Sequence, residues 1–316
     1  MGFRSRVGRF VILGAVLTLA YCSKSSTPTS PTPPRPTASG SPDPRPTGPG
    51  SSVPRIGQLV GAGDIGFCGP SNISGSEATG RLLDRLGGTV FTTGDNAYPS
   101  GSTTDYTQCY EPGWGRHLAR TRPSPGNHEY VSGAMPYFGY FGANAGPMVS
   151  GYYSYTVGGW HVISLNSEIA ASAGSSQLEW LRSELATNPS ACTAVYWHRP
   201  LFSSGRHGDN PDMRDMWRVL YAANVDVVIN GHDHTYERFA PQDPDGRLDP
   251  THGIREFVVG TGGSPLYEFP SAHANSEVRG SAWGVISFTL LENSYEWEFV
   301  PVEGQTFRDA GAGTCH

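Results

Sequence analysis

From Ile56 onward, short apolar runs bounded by glycine alternate with stretches in which apolar residues recur every three or four positions. Short apolar runs suit strands buried on both faces, and the longer period suits helices with one buried face. Leu59–Ala62, Val90–Thr93, Val162–Leu165, Ala194–Trp197, Val225–Ile229 and Phe257–Val259 therefore read as buried strands. Leu82, Leu83 and Leu86, with Ala78 one turn earlier, form one helical stripe. Leu178, Leu181 and Leu185 form a second, with Ser175 or Ser176 as N-cap and Asn188-Pro189 as its stop. A third helix is predicted from about Asp212 to Ala223. Tyr152–Val157 and Trp160–Leu165 flank Gly158-Gly159 as a tight hairpin, and Trp283–Leu290 pairs with Tyr295–Val300 around Glu292-Asn293. This alternation predicts an α/β (α+β) domain with central sheets covered by helices, and there is no internal repeat.

The first 54 residues have another character. Arg4, Arg6 and Arg9 precede an apolar run, Phe10 to Ala20, which is short for a membrane span and reads as an export signal. From Lys24 to Ser52 serine, threonine and proline dominate, so this stretch has too little apolar surface to offset its chain entropy and is expected to be a disordered tether. The expected division is residues 1–22 as signal, 23–54 as tether and 55–316 as catalytic domain. The order Leu19-Ala20-Tyr21-Cys22 followed by a flexible segment resembles a bacterial lipoprotein, although Tyr21 stands where a small residue is usual. That resemblance implies a lipid on Cys22 and a domain exported from the cytoplasm but tethered to the membrane.

At 316 residues the chain can bury a substantial core. Its net charge is −6, with no long run of Lys or Arg, which argues against nucleic acid as the main partner. An anionic substrate would therefore need positive charge supplied locally, and metal ions do this. Of five cysteines, four remain if Cys22 carries lipid: Cys68, Cys109, Cys192 and Cys315. None has metal-ligand spacing, and an even number in an oxidising compartment fits disulfides with three conceivable pairings. Cys68 with Cys109 is preferred because it joins the loops after two strands. Cys192 with Cys315 would then fasten the C-terminal tail.

Five short motifs carry the candidate chemistry, each read as the end of a strand. They are Gly63-Asp64-Ile65-Gly66, Gly94-Asp95-Asn96-Ala97-Tyr98, Gly126-Asn127-His128-Glu129, His198 before Arg199-Pro200, and Gly231-His232-Asp233-His234. One aspartate after a strand is ordinarily a cap or turn residue. Two histidines flanking a single residue at a sheet edge are harder to explain by packing and suit a metal site. Together the motifs offer two aspartates, a tyrosine, an asparagine and three histidines, the inventory two adjacent ions need. Carboxylate and phenolate suit a hard ion, imidazole and amide carbonyl a softer one. Seven residues give four ligands to each ion only if one carboxylate bridges.

The ordered set Asp64-x-Gly66, Gly94-Asp95-x-x-Tyr98, Gly126-Asn127-His128-Glu129, Val195-x-x-His198 and Gly231-His232-x-His234 resembles the calcineurin-like metallophosphoesterases. More narrowly, Tyr98 makes it similar to the purple acid phosphatase branch. The likeness runs from about Gly61 to Gly263. It implies a four-layer sandwich, two packed mixed β-sheets flanked by helices, with a dimetal site at the strand ends. Asp64, Asp95, Tyr98 and His234 would hold a first ion, ferric iron. Asp95, Asn127, His198 and His232 would hold a second, zinc, manganese or ferrous iron, with Asp95 bridging. The implied reaction is acid-phosphatase-type hydrolysis of small phosphate monoesters by a water activated at the ions. His128, next to Asn127, and His207, on the loop after His198, are the candidates to meet phosphate or leaving group. The β-domain that precedes this unit in plant members is not expected, since only a few residues separate the tether from Gly61.

Two other readings remain: phosphodiester hydrolysis on the same centre, and a non-catalytic cell-surface binding protein built on this fold. Loss of catalysis normally erases ligands, and here the ligand set is complete. The remaining histidines, His117, His161, His252, His273 and His316, match no motif. Asp243-Pro244-Asp245-Gly246 with Asp249 reads as a turn, not a calcium loop. The aromatics Tyr152, Tyr153, Tyr155 and Trp160 read as sheet packing.

Overall fold

The protein is described by a computed structural model covering residues 56–70 and 74–316. The expectations for residues 1–22, including lipidation at Cys22, and for the tether at 23–54 lie outside the described residues.

One six-stranded sheet is built from β1 (Gly57–Ala62), β2 (Thr89–Thr93), β3 (Thr121–Ser124), β11 (Gly284–Leu290), β12 (Ser294–Pro301) and β13 (Ala310–Thr314), in the order β13-β12-β11-β1-β2-β3. The β1, β2 and β3 strands run parallel, and the C-terminal three pair antiparallel. A seven-stranded sheet holds β4 (Tyr153–Val157), β5 (Trp160–Ser164), β6 (Thr193–Tyr196), β7 (Val227–Asn230), β8 (Tyr236–Phe239), β9 (Arg255–Val259) and β10 (Ser276–Gly280). Its order is β10-β8-β9-β7-β6-β5-β4, with β5, β6, β7 and β9 parallel.

Successive side chains of a strand face opposite ways, and the two cores follow from this. Val162, Ala194, Ile229, Phe257 and Val259 of the second sheet meet Leu59, Val60, Val90, Phe91, Ile286 and Phe288 of the first in one buried cluster. Ile163, Val195, Val228 and Val258 face the other way, onto helices at Ser176–Thr187 and Arg214–Ala222. There Leu178, Leu181, Met216, Trp217 and Leu220 complete a second core. A helix at Ser76–Leu83 adds Leu82 and Leu83 to the first core; its predicted continuation through Leu86 is a turn. Ser175 caps the 176–187 helix by accepting from Leu178 N at 3.3 Å. The third predicted helix opens as a 3₁₀ turn at Pro211–Met213. Two mixed sheets face each other, flanked by helices.

Four strands carry no apolar run to announce them. One of them, β3, reads Thr-Arg-Pro-Ser, so the Asn127 motif follows a strand but not an apolar one. It sits at the sheet edge, where a proline costs no ladder hydrogen bond. The edge strands β10 and β13, Ser-Glu-Val-Arg-Gly and Ala-Gly-Ala-Gly-Thr, are similarly polar or small.

Disulfides join Cys68 to Cys109 and Cys192 to Cys315. The second spans 123 residues and ties the start of β6 in one sheet to the end of β13 in the other. Serine at both Cys192 and Cys315 is expected to lower folding stability by about 2–4 kcal/mol, because the unfolded chain regains loop freedom. Chemical denaturation checks this, and an unchanged midpoint would refute it.

Candidate metal centre

All five motifs lie at the C-terminal ends of parallel strands, where the two sheets meet. Asp64 follows β1, Asp95 and Tyr98 follow β2, Asn127 follows β3, His198 follows β6, and His232 and His234 follow β7. Oxygen donors thus come from the first sheet and imidazoles from the second. Asp64 (φ 59°), Asp95 (φ 49°) and His232 (φ 71°) have left-handed backbones, a conformation that side chains resist and that clusters at functional sites. Two glycines make the close approach possible. A Cβ on Gly94 would lie 2.7 Å from the His198 ring, and one on Gly126 only 2.3 Å from Asp95 Oδ1.

The structure brings the seven candidate ligands together. The Tyr98 hydroxyl stands 2.7 Å from Asp64 Oδ1, 3.1 Å from Asp95 Oδ2 and 3.1 Å from His234 Nε2. His198 Nε2 stands 3.0 Å from Asn127 Oδ1, 3.1 Å from His232 Nδ1 and 3.3 Å from Asp95 Oδ2. Asp95 Oδ2 therefore lies between a Tyr98–Asp64–His234 group and an Asn127–His198–His232 group. Asp64 and Asp95 also anchor backbone: Asp64 Oδ2 accepts from His232 N at 2.9 Å, and Asp95 Oδ1 from His128 N at 2.8 Å.

The donor set fits cations. Thr93 O lies 2.8 Å from His198 Nδ1, and Pro265 O 2.7 Å from His234 Nδ1. Each carbonyl accepts the ring proton, so both Nε2 lone pairs point inward. There they face carboxylate and amide oxygens, which also present only lone pairs. Such a cluster repels itself unless positive charge fills it. The local field says the same. Burial disfavours a proton on His198, yet Asp95 and its hydrogen bond raise the imidazole to about 10. Burial also raises Asp95, but His198 and His128 outweigh it and hold the carboxyl well below its usual range. Burial, then Asp64 and Asp95, push the Tyr98 phenol well above its ordinary value, so its oxygen loses a proton only to a strong cation.

Glu129 knits the oxygen-bearing loops. Its carboxylate accepts from Gly126 N (2.7 Å), Asn96 N (2.9 Å), Ala97 N (3.2 Å) and the Tyr106 hydroxyl (3.1 Å). Burial and the charge of Asp95 raise it to about 8. His128 packs on the Tyr98 ring at 4.3 Å, with Nδ1 on Pro99 O at 2.5 Å and Nε2 3.8 Å from Asp95 Oδ2. His207 stacks on the His232 ring at 4.3 Å, and burial holds its pKa below the usual value.

Sequence reasoning gave no role to four neighbours. Asp233, between two of the histidines, is fully buried and turns from the centre. It accepts from His207 N at 2.8 Å and the Ser203 hydroxyl at 2.6 Å, fixing the loop that carries His207. Tyr267 stacks on His234 at 4.0 Å, under the Arg206 guanidinium. Arg199 pairs with Glu168 at 2.9 Å. Adjacency to His198 was the only signal for Arg199, and Tyr267 had none. His117, His161 and His273 contact Asp84, Glu184 and Asp209 away from the centre. Asp243 closes its turn by accepting from Asp245 N and Arg247 N.

The calcineurin-like phosphoesterase family matches residues 59–236. Purple acid phosphatase 15 of Arabidopsis thaliana is 35% identical over 119 residues, covering 36% of this chain and 22% of its own length. The probable purple acid phosphatase 20 of the same plant is 31% identical over 190 residues, covering 50% of this chain and 43% of its own. The chain thus spans less than half the length of these relatives. In structure it is similar to a purple acid phosphatase from yellow lupin seeds, with a TM-score of 0.71 and 23% identity over 82% of this chain and 54% of that one. The match across more than half of its length makes the chain a member of the calcineurin-like phosphoesterase family.

Proposed function

We propose that residues 55–316 form a catalytic domain that hydrolyses phosphate monoesters with two ions. Asp64, Asp95, Tyr98 and His234 would hold a ferric ion, and Asp95, Asn127, His198 and His232 a zinc, manganese or ferrous ion. The observation that carries this is the convergence of inward lone pairs on both sides of Asp95 Oδ2. When bound, the ions supply positive charge for the phosphate and acidity for the attacking water. The protein supplies position. Thr93 O and Pro265 O fix the tautomers of His198 and His234. Pro99 O fixes the His128 ring, whose Nε2 faces the centre and, when protonated, donates to the departing alkoxide. His207, whose backbone Asp233 holds and whose ring stacks on His232, offers a second donor.

Export through residues 1–22 and tethering through Cys22 and residues 23–54 complete the proposal. Two disulfides support an oxidising compartment. Among the described residues no helix is long and apolar enough to cross a membrane.

Initial rates on p-nitrophenyl phosphate and bis(p-nitrophenyl) phosphate test the reaction. A monoester preference of at least about tenfold in kcat/KM is expected. The reverse preference would make the chain a phosphodiesterase, and no turnover of either ester by ion-loaded protein would remove the enzyme reading.

A further inference from the structure

Arg199 is anchored by one edge and free at the other. Its Nε donates to both oxygens of Glu168, at 2.9 and 3.1 Å, and its backbone N donates to Ser167 Oγ at 3.1 Å. The Ser167 hydroxyl in turn donates to Glu168 at 2.9 Å, so the anchoring carboxylate is itself held. The Nη edge lies against a candidate ligand of the metal centre, with Nη1 3.3 Å from the outward ring nitrogen of His232, Nε2. Among the described residues, Nη2 has no hydrogen-bond partner. The same side chain forms part of the wall of a cavity of about 660 Å³, which Glu168, Ala171, Asn210 and Asp212 also line.

The contact with His232 does not satisfy this edge once the centre is filled. His232 turns Nδ1 inward, 3.1 Å from His198 Nε2. An imidazole that gives its Nδ1 lone pair to a cation carries its remaining proton on Nε2. A guanidinium has only donors, so Nη1 then meets an N–H and gains no hydrogen bond. The planar fork remains, held in place by Glu168 and lacking an acceptor. Guanidinium geometry matches two oxygens of a phosphoryl group, which a point-like ammonium does not.

We propose that Arg199 is a further substrate-binding residue, its Nη edge holding non-bridging phosphoryl oxygens beside His232, with Glu168 as its positioning residue. This inference rests on the two-ion phosphatase reading. Its test is calorimetric titration of the full ion-loaded protein with inorganic phosphate, alongside metal analysis and KM for p-nitrophenyl phosphate. Arg199→Gln should weaken phosphate by about tenfold and raise KM similarly, with both ions retained. Arg199→Lys should fall between, and Glu168→Gln should weaken phosphate less than Arg199→Gln. Unchanged phosphate affinity in Arg199→Gln with both ions present overturns the proposal. So does loss of ions from folded Arg199→Gln and Arg199→Lys alike, because the residue would then serve the ion site. Wild-type protein that binds two ions but no phosphate would instead sink the phosphatase reading itself.

Discussion

Asp95→Ala is expected to lose both ions and to drop turnover by on the order of 10³-fold or more. One oxygen of this carboxylate lies 3.1 Å from the Tyr98 hydroxyl and 3.3 Å from His198 Nε2, so it belongs to both ligand groups. The other oxygen accepts from His128 N and so positions the Asn127 turn. Removing a ligand on the periphery of one group would leave three donors there. Removing this one leaves each group short and frees the Asn127 turn as well. Metal analysis of purified wild-type protein should give close to two ions per chain, and the variant should give close to none. The fold should survive, because Asp95 contributes no apolar packing. Stoichiometric ions with normal turnover in the variant would refute the bridging assignment.

Tyr98→Phe is expected to abolish a visible charge-transfer band while sparing most of the fold. Phenolate is a strong ligand for ferric iron and a poor one for zinc. In the protein's own field the phenol keeps its proton, because burial and the two flanking aspartates oppose a further negative charge. Only a highly charged cation reverses that balance, so colour is a direct report of iron at Tyr98. Phenylalanine removes the oxygen alone and keeps the ring on which His128 packs. Turnover should fall less than colour does, since Asp64, Asp95 and His234 remain. Absorption spectra of iron-replete protein decide the matter. A colourless wild type, or a band unchanged by the substitution, would remove ferric iron from the first site and leave a two-ion phosphoesterase.

What the sequence made legible follows from burial. The parallel strands β1, β2, β6, β7 and β9 are covered on both faces, so their apolar runs announced them, and the motif residues at their ends could be placed with them. The edge strands β3, β10 and β13 have less to bury and left no such trace, although β3 delivers Asn127 to the centre. Asn127 was found through its neighbours Gly126, His128 and Glu129 instead. The motif residues were recognisable because ligand chemistry demands particular side chains in a fixed order. Arg199, Glu168, Asp233 and Tyr267 act by where they lie, and two of these contacts join distant segments: Arg199 meets Glu168 across 31 residues, and Tyr267 meets His234 across the loop that follows β9. Local sequence does not report such encounters. The disulfide pairing was readable for a simpler reason, since two cysteines followed adjacent motif strands and the other two were left.

The division of donors between the sheets has a consequence for when the ions arrive. The oxygen donors hang on a sheet made from the first three strands and the last three, while the imidazoles hang on a sheet made from the middle of the chain. An emerging chain that stops short of β11 offers carboxylates without a finished support and histidines without a partner layer. On the proposed two-ion reading, the complete ligand set would exist only once the two sheets have docked.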